Sequence, residues 1–589
     1  MGGKRHVDFE SILADVYGTG FYQITLLIAC SMTCFIGGLE IQTILFMHYT
    51  PAFTCQEVPT SLSLSVNWVP RETYENLVHR PNDTAGLGHK SNSTVQQCWA
   101  VLTNSSSNEV TPFSCSNWTY DQTVTFNTVV TQFNLICDQH FWIPLMEASY
   151  LVFNSVGFVV AFVSDKIGRR IPLLAFAVWG IVICLATPFV QSLSILLFLR
   201  CCRGMSTALM YIGINLLSEL VPLSYRAAYG NVYWTSWPVG YMVCAGIAYL
   251  VRDWFSLRLW SCIFLLTYLC FPFIVVDSPR WLYVRGRKKE AINILQKLAR
   301  WNRASLPADY FDRIEDRLPS EFMNCGGNSL VSYDAISSNG ISIDRLKDNV
   351  QDNDEKEDSF MDIFRYPNLR NNTLIFCVVH IAIAVVYYGL IMDSLFTIDD
   401  IFMNMLLSGL VELPSSFLSW AACAYLGRRS STSALLLISG IGVLVSRMVT
   451  PNVTVLRTIT ALIVKFALGI AYCVADLFIT ELYPTTLRNI GFFTVVTVAG
   501  LASAVAPYIN YLSHINTYLP YLIYAGLSIA SAIMVHFGLP ETRSCPLPQT
   551  VKESQGFVRG KERDWCEKRK RIYVDPAVGN TIMPIPVNE

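Results

Sequence analysis

Long apolar runs separated by short charged segments make up most of the chain. Each run is close to the roughly 20 residues that cross the hydrocarbon core of a bilayer as an α-helix. The pattern therefore predicts an all-α membrane protein with twelve transmembrane helices. The runs fall at about 24–46, 142–163, 171–190, 194–216, 231–251, 258–276, 373–392, 400–423, 432–450, 455–479, 491–512 and 519–539.

Composition agrees with this pattern and excludes several classes of protein. Of the 589 residues 52% are hydrophobic and only 15% are charged, which is too apolar for an ordinary soluble protein of this length. The formal net charge is -1, and the basic residues lie in short segments between the runs, so we expect a lipid bilayer and no nucleic acid as partner. Phosphate loops, metal-ligand clusters and nucleophile motifs are not evident, and we expect neither an enzyme nor a cofactor.

The segment 164–170 between the second and third runs determines the predicted topology. It carries Asp165, Lys166, Arg169 and Arg170, and lipid cannot accommodate four charges. Its basic excess indicates the cytoplasmic side of the membrane. The predicted plan is a multi-pass plasma-membrane protein with both termini inside. Its cytoplasmic parts are an N-terminus at 1–23, a linker at 277–370 with a disordered middle at about 325–357, and a tail at 541–589.

The loop at 47–141 is the one long polar segment that concentrates cysteines. Glycosylation sequons cluster in the same loop, which points to the outside of the cell. In that oxidising compartment four cysteines favour two disulfides over four free thiols, and the sequence leaves three connectivities open. The predicted disulfide cysteines are Cys55, Cys98, Cys115 and Cys137, and the predicted glycosylation sites are Asn82, Asn92, Asn104 and Asn117.

An internal repeat divides the spans into two sets of six. An acid, a proline and an arginine recur with identical spacing at Glu219 to Arg226 and at Glu481 to Arg488, about 260 residues apart. Gly-Arg-Arg at 168–170 returns at 427–429 with nearly the same offset. Because six spans separate the copies, the halves have the same orientation in the membrane. The predicted domains are six-helix bundles at 24–276, which includes the loop at 47–141, and at 371–540.

These motifs together resemble the major facilitator superfamily and, within it, the organic cation, carnitine and organic anion transporter family. The resemblance covers nearly the whole chain and includes the large glycosylated loop after the first span. Asp277 is a departure, since the family usually has Pro-Glu there. The resemblance implies alternating access by two six-helix bundles around a central cavity. Further motifs that carry it are Asp277 to Leu282, Tyr387-Tyr388-Gly389-Leu390, Glu481 to Thr485 and Pro540-Glu541-Thr542.

Charged residues at the predicted cytoplasmic ends of the spans are candidates for gating. Ion pairs across the two bundles would hold the inside shut and would be weak enough, at roughly 1 kcal/mol each, to break during transport. The alternative is that these charges only anchor the topology. We favour gating because Glu219 and Glu481 occupy matched positions. The full predicted set is Asp165, Arg169, Glu219, Arg226, Arg428, Glu481 and Arg488.

Charged residues inside the spans indicate the class of substrate, because a charge there costs about 2.5 to 3.5 kcal/mol. Lys465 is the main base, and the predicted excess of acid favours a cationic or zwitterionic solute. Lys465 and Asp476 share one helix face but lie roughly 16 Å apart, so one small zwitterion cannot contact both. Pairing of each with another helix is an equally good interpretation. Glu40 is the preferred ammonium partner. The acids are Glu40, Glu147, Glu412 and Asp476.

Aromatic side chains in the fifth and seventh spans supply a second indication. Quaternary and protonated amines bind well over aromatic faces. Trp237 and Tyr241 lie on one face of the fifth span, and Tyr387 and Tyr388 lie in the seventh. These four residues are predicted to form an aromatic cage, and helix packing is the alternative.

The predicted function is a plasma-membrane transporter that moves small organic cations or zwitterions by alternating access. Gly500 occupies the place where related cation carriers have an acid and anion carriers a base, so the usual charge rule does not apply. An organic anion transporter of the same family and a non-transporting, receptor-like relative are the alternatives. Sodium or proton coupling stays open.

Overall fold

The structure is a computed structural model of the full chain. It describes residues 9–56, 64–68, 98–104, 110–307, 310–311, 361–392, 400–449, 454–484, 487–543, 545, 548, 551–560 and 564–566. The predicted disorder at 325–357 lies outside these residues.

Long helices form the body of the first half of the chain. The short amphipathic helix α1 (Phe9–Tyr17) precedes the first of them, α2 (Phe21–Met47). Two later spans are each divided into two helices near their middle. The helices that follow are α3 (Val129–Phe133), α4 (Trp142–Ile167), α5 (Arg170–Ala186), α6 (Leu193–Met205), α7 (Ala208–Leu220), α8 (Leu223–Val251), α9 (Trp254–Leu265) and α10 (Phe271–Ile274).

The second half repeats this pattern after the linker, whose described residues include α11 (Pro279–Val284), α12 (Lys288–Trp301) and α13 (Asp362–Arg365). Its helices are α14 (Pro367–Met392), α15 (Ile401–Leu426), α16 (Arg428–Met448), α17 (Thr454–Leu482), α18 (Arg488–Ser503), α19 (Ala506–Tyr511), α20 (Leu519–Gly538) and α21 (Val551–Gly556).

Among the described residues, ten helical stretches are long and apolar enough to cross a membrane. Two further predicted spans correspond to α4, with 26 residues, and α8, with 29 residues. Both are long enough to cross, and both carry polar side chains. Glu147 and Asn154 lie in α4, and α8 contains an asparagine and two serines beside its aromatic residues. The membrane-spanning helical architecture is confirmed, and the count of twelve stays a prediction.

The cysteine-bearing loop forms two small antiparallel sheets that the sequence pattern did not predict. Strands β1 (Phe53–Cys55) and β5 (Trp118–Tyr120) pair with each other, and β3 (Trp99–Asn104) pairs with both β2 (Leu64–Trp68) and β4 (Val110–Ser114). The predicted pair of disulfides is confirmed, with the connectivity Cys55–Cys115 and Cys98–Cys137. We call this end of the helices the loop end and the opposite end, next to α11 and α12, the linker end.

Two close helix contacts join the halves. Helix α8 packs against α15, and α4 packs against α18. Gly409 permits the first contact, because a Cβ atom there would lie 2.8 Å from Met242 Cγ and 2.8 Å from the Pro238 carbonyl oxygen. Helices α4, α8, α15 and α18 therefore form much of the contact between the halves.

The repeat extends to the way in which each half caps a helix. Gly168 and Gly427, the matched glycines, have φ values of 108° and 87°, which a residue with a side chain rarely adopts. Asp277 accepts a hydrogen bond from the Arg170 backbone N–H at 3.2 Å. Glu541 accepts one from the Arg428 backbone N–H at 2.8 Å. Each half thus places a carboxylate, which follows its last span, at the N-terminus of its third span, where negative charge is stabilised.

Candidate functional site

A chain of hydrogen bonds crosses from the first half to the second near the middle of the spans. Trp237 Nε1 donates to the Tyr241 hydroxyl at 2.9 Å, and the Tyr241 and Tyr387 hydroxyls are 3.1 Å apart. The Tyr387 hydroxyl donates to Glu412 Oε2 at 3.0 Å. Three of the four predicted cage residues therefore lie together, but their polar atoms are occupied by one another and by Glu412.

Tyr388 completes the predicted aromatic set from the same helix as Tyr387. The two rings meet edge to face with centroids 5.5 Å apart, and Tyr387 is 6.5 Å from the ring of Tyr472. Tyr388 is half-buried, whereas Tyr241 is fully buried. The partly accessible aromatic side chains of this group are thus Trp237, Tyr387, Tyr388 and Tyr472.

Lys465 lies within the second half. Its Nζ is 2.5 Å from Ser408 Oγ, and the side chain is buried and electrostatically coupled to Glu412. Glu412 thereby has two neighbours, the Lys465 ammonium and the Tyr387 hydroxyl. Lys465 contacts Ser408 of α15, and Asp476 contacts His380 of α14. Contacts of the two residues with different helices were the alternative interpretation of the sequence.

Asp476 forms an ion pair that the sequence did not suggest. His380 Nε2 lies 3.2 Å from Asp476 Oδ1, and His380 Nδ1 lies 3.0 Å from the Phe376 carbonyl oxygen. The His380 side chain is 3% exposed, but the Asp476 side chain is 27% exposed. Within the described residues the Asp476 carboxylate is thus hydrogen-bonded to His380 and keeps an accessible face. A titratable histidine inside an apolar run was the sequence signal for this site.

Tyrosines from both halves lie near Asp476. Tyr211, from α7 in the first half, lies near Asp476, Tyr472 and Tyr388. Tyr472 stands one turn before Asp476 on α17 and is half-buried, as are Tyr211 and Tyr388. Asp476 and these three residues form what we call the tyrosine–aspartate site. Neither Tyr211 nor Tyr472 was among the residues predicted from sequence.

Glu40, the preferred ammonium partner, lies elsewhere. Its side chain is 2% exposed and forms ion pairs with Arg258 Nη1 at 2.7 Å and with Arg203 Nη2 at 3.1 Å. A cation would have to displace buried guanidinium groups to reach it. Glu40 is thus enclosed by guanidinium groups, and its role as ammonium partner stays a prediction.

The expected excess of acid over base inside the spans is wrong. Arg200, Arg203 and Arg258 are all at most 4% exposed and lie within the fourth and sixth spans. Together with Lys465 they equal the four predicted acids in number. His48, which directly follows α2, lies 3.0 Å from Glu147. Net charge inside the spans therefore does not select a substrate class, and exposure of each charge must be considered instead.

The predicted gating residues form the same ion pair in each half. Arg169 Nη2 is 2.8 Å from Glu219 Oε1, and Arg428 Nη2 is 2.8 Å from Glu481 Oε1. The pairing across bundles that the sequence suggested is not found at these four residues. Each arginine follows the second span of its own half and each glutamate ends the fourth span of that half, and these spans are neighbours.

The other predicted gating and modification sites are less informative. Arg226 donates from Nε to the Val221 carbonyl at 3.2 Å, and Arg488 experiences the charge of Glu481. Asp165 lies in the last turns of α4. Asn104 is in β3, and Asn117 is exposed just before β5. Asn82 and Asn92 lie outside the described residues, and glycosylation stays a prediction.

The two halves also touch at the loop end. Phe402 of α15 is 6.0 Å from Phe46 and 5.6 Å from Tyr249, centroid to centroid. His140, which precedes α4, stacks on Tyr511 at 5.7 Å and meets His514 edge to face at 4.8 Å. These contacts join the halves on the side of the tyrosine–aspartate site that faces the loop sheets.

The fold and this arrangement define a membrane transporter with two related halves and a polar site between them. A family model described as sugar (and other) transporter matches residues 93–325 and 337–551. The chain belongs to this family and to the major facilitator superfamily, as the sequence motifs predicted.

Curated relatives match over nearly the full length. Organic cation transporter 1 of Caenorhabditis elegans is 29% identical over 96% of this chain and 91% of its own. Organic cation/carnitine transporter 2 of Homo sapiens is 27% identical over 98% of this chain and 99% of its own. Solute carrier family 22 member 2 of Homo sapiens is 26% identical over 94% of each chain.

Solved structures show the same fold. The xylose transporter XylE from E. coli, in a partially occluded inward-open conformation, matches with a TM-score of 0.55 and 15% identity, over 89% of this chain and 100% of XylE. A structure described as D-xylose-proton symporter has a TM-score of 0.53 at 14% identity. At this identity the likeness concerns the fold alone.

Proposed function

We propose that the protein moves small organic cations, and zwitterions that present a cationic group, across the plasma membrane by alternating access. The observation that carries this proposal is the tyrosine–aspartate site. Asp476 is more exposed than the other predicted acids Glu40, Glu147 and Glu412, and a carboxylate inside a span carries a cost that is offset when it binds a cation.

The surrounding rings suit the same ligand. Tyr388 and Tyr472 belong to the second half and Tyr211 to the first, so a cation at Asp476 is within reach of aromatic groups from both halves. Cation–π contacts contribute about 0.5 to 2 kcal/mol each in such desolvated settings. Contacts to both halves also provide the means by which a bound substrate favours closure of one half on the other.

Other charges near the centre are less suited to substrate. Glu412 is buried, accepts from Tyr387 and is coupled to Lys465, so its charge is offset within the protein. Lys465 is likewise buried and bonded to Ser408. A free anion therefore has no exposed basic partner among these residues. Curated relatives that are named as organic cation and organic cation/carnitine transporters support the same class of substrate.

Uptake of labelled tetraethylammonium, carnitine and benzoate into cells that express the full chain tests the proposal. We expect uptake of tetraethylammonium and less uptake of benzoate. D476N should lower cation uptake at least tenfold with unchanged surface protein, measured by biotinylation. E290Q is the matched control, because Glu290 is an exposed acid paired with Arg287 far from the site. Uptake of benzoate alone, or cation uptake by D476N equal to wild type, would contradict the proposal.

A further inference from the structure

A third disulfide joins Cys545 to Cys566 in the tail, and the sequence pattern did not predict it. It lies at the linker end, because the tail contacts the start of α14, where Asn368 Nδ2 donates to the Gln555 carbonyl oxygen at 2.5 Å. The two loop disulfides lie at the opposite end of the spans. Disulfides at both ends of a plasma-membrane protein mean that one of them faces the reducing compartment.

The tail disulfide is the one that faces the cytosol when the cysteine-bearing loop is outside, as its sequons predict. Glutathione and thioredoxin keep cytosolic thiols reduced, so a disulfide in that compartment is usually transient, catalytic or redox-sensing. Cys545 is half-buried, whereas Cys566 is 8% exposed. A small cytosolic thiol therefore reaches the disulfide from the Cys545 side.

The Cys566 side of the disulfide belongs to the packed interior of the second half. Val551, Phe557 and Cys566 lie in the same buried apolar cluster as Leu369 of α14. The rings of Phe557 and Trp565 pack with centroids 4.7 Å apart. This part of the tail is therefore held on the second half by its own apolar contacts, and the disulfide ties Cys545 to it.

The Cys545 side of the disulfide leads to the Arg428–Glu481 ion pair. The Cys545 backbone N–H donates to the Thr542 carbonyl oxygen at 3.1 Å, and Thr542 Oγ1 donates to Glu481 Oε2 at 2.6 Å. Arg428 contacts the other oxygen of the same carboxylate, Oε1. The disulfide thus restricts the turn whose hydroxyl group completes the contacts of Glu481.

The equivalent ion pair in the first half lacks this contact. Arg169 contacts Glu219 Oε1 in the same way, but Glu219 Oε2 has no hydrogen-bond partner among the residues that the structure describes. Ser278, the repeat equivalent of Thr542, instead accepts a hydrogen bond from the Trp281 backbone N–H at 3.3 Å. The tail therefore adds a restraint to one ion pair that its repeat copy does not have.

We propose that Cys545 and Cys566 form a thiol–disulfide switch that cytosolic glutathione opens, and that the closed form slows transport by holding Thr542 on Glu481. The inference goes beyond the proposed function, because it concerns the movement of the second half and not the solute. It requires that the Arg428–Glu481 pair breaks when the linker end opens. In the closed form the Thr542 contact must break with it.

Opening of the disulfide consumes two molecules of glutathione. The thiolate of the first attacks the Cys545 sulfur, a mixed disulfide forms there, and the bond to the Cys566 sulfur breaks. The thiolate of the second attacks the glutathione sulfur of the mixed disulfide and leaves as glutathione disulfide. Two electrons and two protons pass from the glutathione thiols to the two cysteines. Glutathione disulfide drives the reverse reaction.

Labelling of thiols in the purified full-length protein tests the chemical step. The protein is equilibrated in glutathione buffers from fully oxidised to the reduced ratio of the cytosol, quenched with acid and labelled with N-ethylmaleimide. Mass spectrometry should show label on Cys545 and Cys566 in the reduced buffer and none in the oxidised buffer, while the loop cysteines stay bonded in both. A tail disulfide that persists in the reduced buffer would overturn the switch.

Hydrogen–deuterium exchange on the same samples tests the coupling to the turn. Peptides that cover 541–545 should exchange about tenfold faster after reduction, because a hydrogen bond to a charged group shifts an equilibrium by about tenfold or more. Equal exchange in the two forms would show that the disulfide does not hold the turn, and it would overturn the proposed route to Glu481.

Transport measurements test the consequence. Diamide, an oxidant of thiols that enters cells, should lower tetraethylammonium uptake by wild type about tenfold, on the same reasoning, and uptake should recover as the cells restore their glutathione. The double variant C545S/C566S should keep the faster rate throughout. T542V lacks the donor to Glu481 and should transport at the faster rate with the disulfide closed. C270S is the matched control, since Cys270 is an exposed free thiol, and it should respond as wild type.

The outcomes separate this inference from the proposed function. Inhibition of C545S/C566S by diamide to the same extent as wild type would overturn the switch while cation transport stands. Absence of tetraethylammonium uptake in wild type would overturn the proposed function. Thiol labelling and deuterium exchange would then decide the switch, because neither measurement needs a substrate.

Discussion

Glu40 and Asp476 are acids inside membrane spans, one in each half of the repeat, yet their surroundings are opposite. Glu40 is 2% exposed and has Arg203 and Arg258 on its two oxygens. Asp476 is 27% exposed, and in the described part of the chain its carboxylate is hydrogen-bonded to His380. The comparison shows that enclosure by two guanidinium groups distinguishes the buried carboxylate of Glu40 from the accessible carboxylate of Asp476.

The largest expected effect on stability comes from disrupting the buried ion pairs of Glu40. E40Q leaves two buried guanidinium groups without a carboxylate, and removal of one partner from such a cluster costs about 3–5 kcal/mol. We expect a clear drop in the apparent melting temperature in detergent and little mature protein at the surface. E290Q, which breaks an exposed pair, should cost no more than about 1 kcal/mol.

The opposite outcome for E40Q is equally informative. A variant with wild-type melting temperature and a strongly reduced affinity for tetraethylammonium would return Glu40 to the role of ammonium partner that the sequence suggested. Melting curves and uptake measured on the same preparations distinguish the two roles.

The Arg169–Glu219 and Arg428–Glu481 ion pairs at the linker end are equivalent in the two halves. Breaking them should give the next largest effect on stability. R169A and R428A each remove a two-donor contact to a glutamate of the same half. Charged hydrogen bonds contribute about 1.5–3 kcal/mol. We expect similar losses of stability and a large loss of transport in both variants, with protein still at the surface.

The equivalence of these two pairs can be broken by experiment. Wild-type uptake by R169A, with surface protein unchanged, would exclude a gating role for that pair. If R428A alone lost transport, the repeat would be equivalent in structure but not in mechanism. R285A is a suitable control, since Arg285 is an exposed arginine near the same end that donates to the Lys166 carbonyl.

A smaller effect on stability is expected from a substitution at the accessible carboxylate of Asp476. D476N removes one ion pair from a partly exposed carboxylate, so the free energy of unfolding should fall by no more than about 1 kcal/mol. Melting temperature in detergent should therefore be close to wild type even though cation uptake is lost. A drop as large as that of E40Q would show that Asp476 is structural as well.

The sequence was sufficient for the family, the repeat and the loop disulfide cysteines, because these depend on local patterns. Apolar length predicts a span, and matched Gly-Arg-Arg motifs predict matched turns at Gly168 and Gly427. The strands of the loop were missed because short segments such as Phe53–Cys55 have no extended alternation of apolar and polar residues.

The candidate site was harder to predict because the exposure of a charge depends on which helix lies next to it. Arg203 and Arg258 were present in the predicted spans, but only the three-dimensional structure shows that both side chains reach Glu40. His380 likewise approaches Asp476 from a helix 96 residues earlier in the chain. Such partners follow from three-dimensional packing and not from spacing along one helix.

The smallest expected effect concerns the loop end, where the halves meet through histidines instead of through the site. Burial, and then the neighbouring His514, lower the pKa of His140 to about 4. A histidine with a depressed pKa in the folded protein favours folding above its ordinary pKa near 6.5, and this contribution falls as the pH drops towards 4. The melting temperature of wild type should therefore decline between pH 7.5 and pH 5 more than that of H140Q, which has no ring to protonate at this contact. Equal declines in the two proteins would show that the contact between His140 and His514 does not respond to protons.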